Sequence, residues 1–264
     1  MMRAAMLLGL LVAVLGCRSV RQAEAPDGPH FTLLTYNVNW GGLRPDLAAH
    51  AILSSTADIV CLQETTPEWE AFLRPRLRGQ YPFMHFRHPS ERAGGGCAFI
   101  SKWRSIEVAY IPSDSGWFDA WIRFFHTPAG PVQVLNVHLR PPVSDRGSFG
   151  PSGYFGTGDD RLDEMERFFA SLRPNVPVIV AGDFNDHDNS AVIDWLKTKQ
   201  FANALPQFDR RTPTWRWRYG LVTFRRRMDH IVYSPELYCY NAAVLPAGAS
   251  DHFPVLAVLG KNLQ

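Results

Sequence analysis

Short apolar runs rich in Val, Ile, Phe and Leu recur along this chain, and polar residues of a few kinds mark their ends. The runs are Phe31–Asn37, Ile59–Gln63, Ala98–Ser101, Ile106–Ile111, Trp121–His126, Val132–His138, Val178–Ala181, His230–Tyr233 and Pro254–Leu259. Runs this short and this apolar read as strands buried on at least one face. Helical patterns lie between them, over Asp46–Ser54, Pro67–Leu77, Asp159–Leu172 and Ser190–Lys199. Pro67 followed by Glu68 is a good helix start. Leu162, Met165, Phe168, Phe169 and Leu172 fall on one helical face. Strands interleaved with helices, together with hairpin-like pairs such as 121–126 and 132–138, predict an α/β fold with mixed sheets. Two facing sheets covered by outer helices bury this many apolar strands. No repeat or linker follows residue 30, so one domain is expected over 30–264.

The first residues lie apart from that domain. Met1-Met2-Arg3 precedes an apolar run from Ala4 to Gly16, too short to span a bilayer comfortably and shaped like an export signal. It ends in Val14-Leu15-Gly16-Cys17, which resembles a bacterial lipobox. The expectation is a signal over 1–17, lipid on Cys17 and a polar tether over 18–29, giving an exported cell-envelope lipoprotein. The alternative is an ordinary signal peptide cut nearby, with a soluble secreted or periplasmic product. Cys61, Cys97 and Cys239 then remain, an odd number that allows no complete disulfide framework.

The formal charge of +2 is nearly balanced, so no global field dictates a polyanionic partner. The 23 Arg against 4 Lys fit either bidentate phosphate recognition or compositional drift in a GC-rich genome. The segment 209–227 holds seven Arg among Trp215, Trp217, Tyr219 and Phe224. Such interleaving binds a phosphate chain with stacking bases, or makes a twisted hairpin with its arginines in solvent. Residues 140–160 form a long loop, of the kind that is usually functional or mobile.

The polar residues at the strand ends carry the chemistry. They are Asn37, Glu64, His138, Asp183 with Asn185, Asp229, and Asp251 with His252; Asp186 follows Asn185 in the same turn. Each alone has a plainer reading as a turn former, helix cap, core histidine or surface acid. Together they are hard to attribute to turns, because ligand sites in layered sheets gather at one end of the strands. Glu64, Asp229 and Asp251, with the amide oxygen of Asn37, are hard oxygen donors that suit Mg²⁺, with Mn²⁺ or Ca²⁺ as alternatives. His138 and His252 can donate to a phosphate oxygen or hold a proton. No nucleophile-elbow serine and no P-loop appears, which removes support for acyl transfer and nucleotide-driven chemistry.

The stretches "TYNVNWGG", "DIVCLQET", "GGGCAFISK", "VLNVHL", "VAGDFND", "RMDHI" and "SDHFPV" together resemble the endonuclease/exonuclease/phosphatase superfamily. The likeness runs in order from Leu33 to about Leu259. It implies a four-layer α/β/β/α sandwich and divalent-metal-dependent phosphoester hydrolysis. It also implies roles: Asn37 and Glu64 on the metal side, with Asp229 a further acid near metal and phosphate. His138 meets the phosphate, Asp183 orients or deprotonates water, Asn185 orients Asp183, and Asp251 with His252 closes the site. In nucleases of this family an acid often pairs with the first histidine, and Glu91 is the counterpart suggested here. Arg92, Arg123 and Arg140 are either phosphate contacts or surface charges. The substrate expected first is nucleic acid, cut outside the cytoplasm. Alternatives are a phospholipid or inositol phosphate near the membrane, or a binding module without activity. No protein partner is indicated.

Overall fold

The computed structural model describes residues 28–89, 94–114, 117–143 and 157–262. The expected signal and tether, Glu91 and Arg92, and most of the 140–160 loop lie outside these.

Two six-stranded mixed sheets face each other. The first runs β13-β14-β1-β2-β4-β3, from β1 (His30–Asn37), β2 (Ile59–Thr65), β3 (Phe83–Arg87), β4 (Gly96–Ser101), β13 (Leu237–Val244) and β14 (Val255–Lys261). The second runs β5-β6-β7-β8-β12-β9, from β5 (Ser105–Ile111), β6 (Ala120–Thr127), β7 (Gly130–His138), β8 (Val178–Asp183), β9 (Ala202–Asn203) and β12 (Asp229–Tyr233). A separate ribbon pairs β10 (Trp215–Tyr219) with β11 (Val222–Arg226).

The side-chain period of two builds the layers. Phe31, Leu33, Ile59, Cys61 and Phe99 point inward and meet Trp121, Val134, Ile179, Ala181 and Ile231 of the other sheet. The intervening Leu34, Tyr36, Val60 and Leu62 point outward, onto helices α1 (Pro45–Ser55) and α2 (Pro67–Leu77). On the far side Leu135, Val137, Val178 and Val180 meet α3 (Gly158–Phe169) and α4 (Ala191–Thr198). A last short helix, α5 (Leu205–Phe208), lies beside β13. The result is the four-layer sandwich anticipated above. Local signals agree with it: Thr66 caps α2 through Trp69 N at 3.3 Å, and Ser190 caps α4 through Ile193 N at 3.3 Å. Cys61, Cys97 and Cys239 are buried and free. Among the described residues no helix is long and apolar enough to cross a membrane.

Each sheet holds one parallel pair, β1 with β2 and β7 with β8, joined through α1 and α3 respectively. The carboxyl ends of these four strands carry Asn37, Glu64, His138 and Asp183, where ligand sites of α/β sheets form. Beneath them lies a buried polar seam. Gln63 Nε2 donates to Asn136 Oδ1 at 2.7 Å and to Thr35 Oγ1 at 3.1 Å. Asn136 Nδ2 donates to the carbonyls of Leu62 and Ala98. This seam fixes the height at which the sheets meet. Asn136→Leu is expected to cost about 2 kcal/mol in urea unfolding, because it orphans buried partners on the opposite sheet.

Candidate active site

The local backbone places each group for a physical reason. Gly182 has a φ of +150°, and a Cβ there would sit 1.9 Å from the carbonyl oxygen of Val137. Only glycine therefore lets β8 press against β7 and deliver Asp183 beside His138. Glu64 adopts the left-handed conformation, φ +59°, at the irregularity where β2 shifts register against β4. That strained turn, costing about 1–2 kcal/mol for a residue with a Cβ, swings its carboxylate over the strand ends. Asn185, φ +51°, takes the same conformation, which asparagine tolerates well.

Asn37 bridges the two sheets: its Nδ2 donates to Glu64 Oε1 at 2.9 Å and to Asp183 Oδ2 at 3.0 Å. Glu64 Oε2 also accepts from the backbone N–H of Trp40. The other Asp183 oxygen accepts from the backbone N–H of Asn185 at 2.9 Å, and Asn185 Nδ2 is tied to the Leu139 carbonyl. His252 Nε2 lies 3.5 Å from Asp183 Oδ2, and His138 Nε2 approaches the same oxygen at 3.5 Å. Behind His252, the Asp229 carboxylate faces Nδ1 at 2.9 and 3.1 Å. Asp251 is held by Asn39 Nδ2 at 2.8 Å and Trp215 Nε1 at 3.0 Å.

All eight expected residues thus gather at one place. Two details exceed what the sequence disclosed. The acid that holds His252 is Asp229, not its neighbour Asp251. Asp229, expected among the cation's oxygen donors, faces the imidazole and also lies with Asp183 and His252 in a group whose ligand-type atoms fall within 4.8 Å of one another. Asp186 points away from the cluster: its Oδ2 meets Arg161 Nε at 2.9 Å. Arg123 is held by Ser105 and Arg140 by Asp160, so both have partners within the fold.

The electrostatics follow from burial and proximity. Burial, with help from Asp229 and against the pull of His252, pushes the Asp183 carboxyl up to about 7. Burial opposes charge on His252, but Asp229 and Asp183 outweigh it and lift the imidazole to about 10. Burial, with His252 adding to it, holds His138 well below the ordinary histidine range. Burial raises Glu64, opposed by the Asn37 hydrogen bond. The surroundings thus favour the charged form of His252 and the neutral form of His138, around a cavity of about 370 Å³.

The cavity walls were not foreseen. Phe118 stacks on His138 with ring centroids 3.6 Å apart and planes 11° apart. Trp117, Pro141, Pro142, Trp215 and Trp217 complete an aromatic and proline rim. Phe118 sits 20 residues before His138 in no recognisable pattern, so only the fold reveals it.

A family model described as the endonuclease/exonuclease/phosphatase family matches residues 34–252. The UPF0294 protein plu0699 of Photorhabdus laumondii is 40% identical over 86 residues, covering 31% of this chain and 29% of that protein. The match thus spans less than a third of that relative's length. Among solved structures, an endonuclease/exonuclease/phosphatase from Beutenbergia cavernae superposes with a TM-score of 0.71 at 20% identity, over 89% of this chain and 72% of that one. ANGEL2, a 2',3'-cyclic phosphatase in complex with adenosine-2',3'-vanadate, gives 0.68 at 15% identity, over 87% and 95%.

Proposed function

This chain belongs to the endonuclease/exonuclease/phosphatase family, and we propose that it is a divalent-metal-dependent phosphodiesterase that cuts nucleic acid outside the cytoplasm. The observation that carries the reading is the convergence of Asp183 and His252, with Asp229 behind the imidazole and Glu64 tied to Asp183 through Asn37. A phosphodiester anion repels an attacking oxygen nucleophile, so a site must both cancel charge and aim a water.

The donor set fits a hard cation. The Glu64 carboxylate is half-buried and shares Asn37 with Asp183, and Asp251 lies across the same cavity. Glu64, with Asn37 and Asp251, would hold Mg²⁺, which favours oxygen donors and substrate phosphate. Asp183, Asp229 and His252 also bring ligand-type atoms within 4.8 Å of one another. There the imidazole Nδ1 already serves Asp229, so a cation would compete with that hydrogen bond. When bound beside Glu64, the ion would polarise a phosphoryl oxygen and stabilise charge on the leaving oxygen.

The protein's own groups divide the remaining work. Asp183, fixed through one oxygen by Asn185 N–H, turns the other toward the cavity to orient or deprotonate water. His252, held cationic by Asp229, donates from Nε2 to the phosphoryl oxygens as negative charge builds on them. His138, neutral and clamped by Phe118, supplies a further donor to the phosphate. The phosphoester-hydrolysing description of ANGEL2 supports the reaction class. The basic ribbon over the site supports a polyanionic substrate.

Purified protein is expected to cleave plasmid DNA or RNA with Mg²⁺ and to lose at least about 100-fold in rate with EDTA. Cleavage of sphingomyelin or inositol phosphates without cleavage of nucleic acid would overturn the substrate assignment. The reading also places the enzyme in the cell envelope through lipid on Cys17; Cys17→Ser releasing the protein from the membrane fraction is its test.

A further inference from the structure

The ribbon β10–β11 has two chemically distinct faces. Its register opposes Arg216 to Arg225, Trp217 to Phe224 and Arg218 to Thr223. Alternation therefore puts Arg216, Arg218 and Arg225 on one face and the Trp217–Phe224 pair on the other. The two rings stack with centroids 6.0 Å apart and planes 28° apart, and both are substantially exposed, 37% and 44%.

Arg216 and Arg225 are like charges directly across an antiparallel pair, an arrangement that destabilises a sheet. Among the described residues neither they nor Arg218 form an ion pair, whereas nearby Arg227 meets Asp188 at 3.3 Å. These arginines line a groove of about 640 Å³ whose other wall is the 39–44 segment. Trp217 and Asp251 border both this groove and the catalytic cavity, so the two are continuous. The feet of the ribbon are joined to the site as well. Arg216 N donates to the Asp251 carbonyl at 2.9 Å, and Thr214 Oγ1 accepts from Asp229 N at 3.0 Å.

We propose that this ribbon is the track for a single-stranded segment of nucleic acid flanking the scissile phosphate. Arg216, Arg218 and Arg225 hold the phosphates next in line, and the Trp217–Phe224 stack receives an unpaired base. The inference rests on the nucleic-acid reading above and adds to it a location and a strand preference. Arg216 lies over the Phe253 ring at 4.5 Å and Arg218 donates to the Gly220 carbonyl, but among the described residues no carboxylate balances the cluster, and its neutralisation calls for a polyanion. Trp217, whose ring stacks on Phe224 across the ribbon's other face and also borders the arginine groove, selects unpaired bases, since a duplex keeps its faces covered.

The test uses the whole mature chain in EDTA, so that binding is read without turnover, and a fluorescein-labelled oligothymidylate of about 15 nucleotides. R216Q/R225Q is expected to raise Kd about tenfold and to reduce the slope of log K against log salt by about 1.4, the value for two single-strand phosphate contacts. R216K/R225K is expected to keep the slope. Trp217→Ala is expected to weaken the oligothymidylate but not an abasic strand of equal charge. With Mg²⁺, the ratio of oligonucleotide to bis(4-nitrophenyl) phosphate kcat/KM is expected to fall about tenfold in R216Q/R225Q. Wild-type affinity and slope in that variant would overturn the proposal while leaving a nuclease intact. A wild-type enzyme that hydrolyses the small diester but neither binds nor cuts nucleic acid would overturn the underlying reading. Arginine-dependent binding to phosphatidylglycerol vesicles in place of the oligonucleotide would reassign the ribbon, with its exposed Leu221 and Val222 tip, to a membrane surface.

Discussion

Asp183→Asn is expected to lower kcat for phosphodiester hydrolysis by about 10³-fold, inside the range that general acid–base groups supply. The substitution is nearly isosteric. It preserves the acceptor for Asn185 N–H and the packing under Gly182, so the strand end keeps its shape. What disappears is the carboxyl oxygen, able to take a proton, that Asn37, His138 and His252 all approach. Water in the cavity then lacks its proton acceptor, and His252 loses one of the three carboxylates that favour its cationic form. Steady-state rates with saturating Mg²⁺ check the claim, with a thermal melt to show that the fold survives. A variant working within a few-fold of wild type would remove Asp183 from the mechanism.

Arg161→Met is expected to destabilise the fold by about 3–5 kcal/mol, the usual cost of removing one member of a buried ion pair. Arg161 is 2% exposed. Its Nε meets Asp186 Oδ2 at 2.9 Å and its Nη1 meets Thr157 Oγ1 at 2.7 Å. Asp186 belongs to the turn that carries Asp183 and Asn185, and its carbonyl accepts from the His230 ring at 2.9 Å. The pair therefore rivets α3 to the catalytic turn and to β12. Methionine fills the volume but leaves the Asp186 carboxylate buried without its cation. Urea unfolding followed by circular dichroism measures the loss. The double variant R161M/D186L is expected to recover part of it, because both charges then vanish together. A single variant within about 1 kcal/mol of wild type would mean that water solvates Asp186 after all.

Strands buried on both faces were legible because their sequences are nearly continuous in Val, Ile, Leu and Phe. The edge strand β5 was legible too, as Ile106–Ile111, but both edges of the first sheet were not. In β3, His85 and Arg87 interrupt Phe83, Met84 and Phe86, and every residue is partly exposed or more. β13 shifts register between Cys239 and Asn241, which breaks its alternation. The four main helices emerged within a residue or three of their observed ends, since caps and prolines mark them. The site residues were legible as polar types where apolar runs stop. Their pairings were not: Asp229 and Asp251 are equally good partners for an imidazole until β12 is laid against β8. Arg161 stands among the acids that open α3, and nothing in its sequence surroundings predicts burial. The 209–227 segment does form the hairpin with exposed arginines that was one of its two readings, and the nucleic-acid reading turns on what those arginines meet.

One hydrogen bond, from Asn37 Nδ2 to Asp183 Oδ2 at 3.0 Å, crosses from the first sheet to the second. Glu64 and His252 arrive with one slab of the sandwich, His138, Asp183 and Asp229 with the other. Neither sheet owns a reaction centre; the centre is a property of their alignment. Catalytic competence is thus a vernier on the mating of two separately built plates, and drift between them silences the enzyme while each plate is still whole.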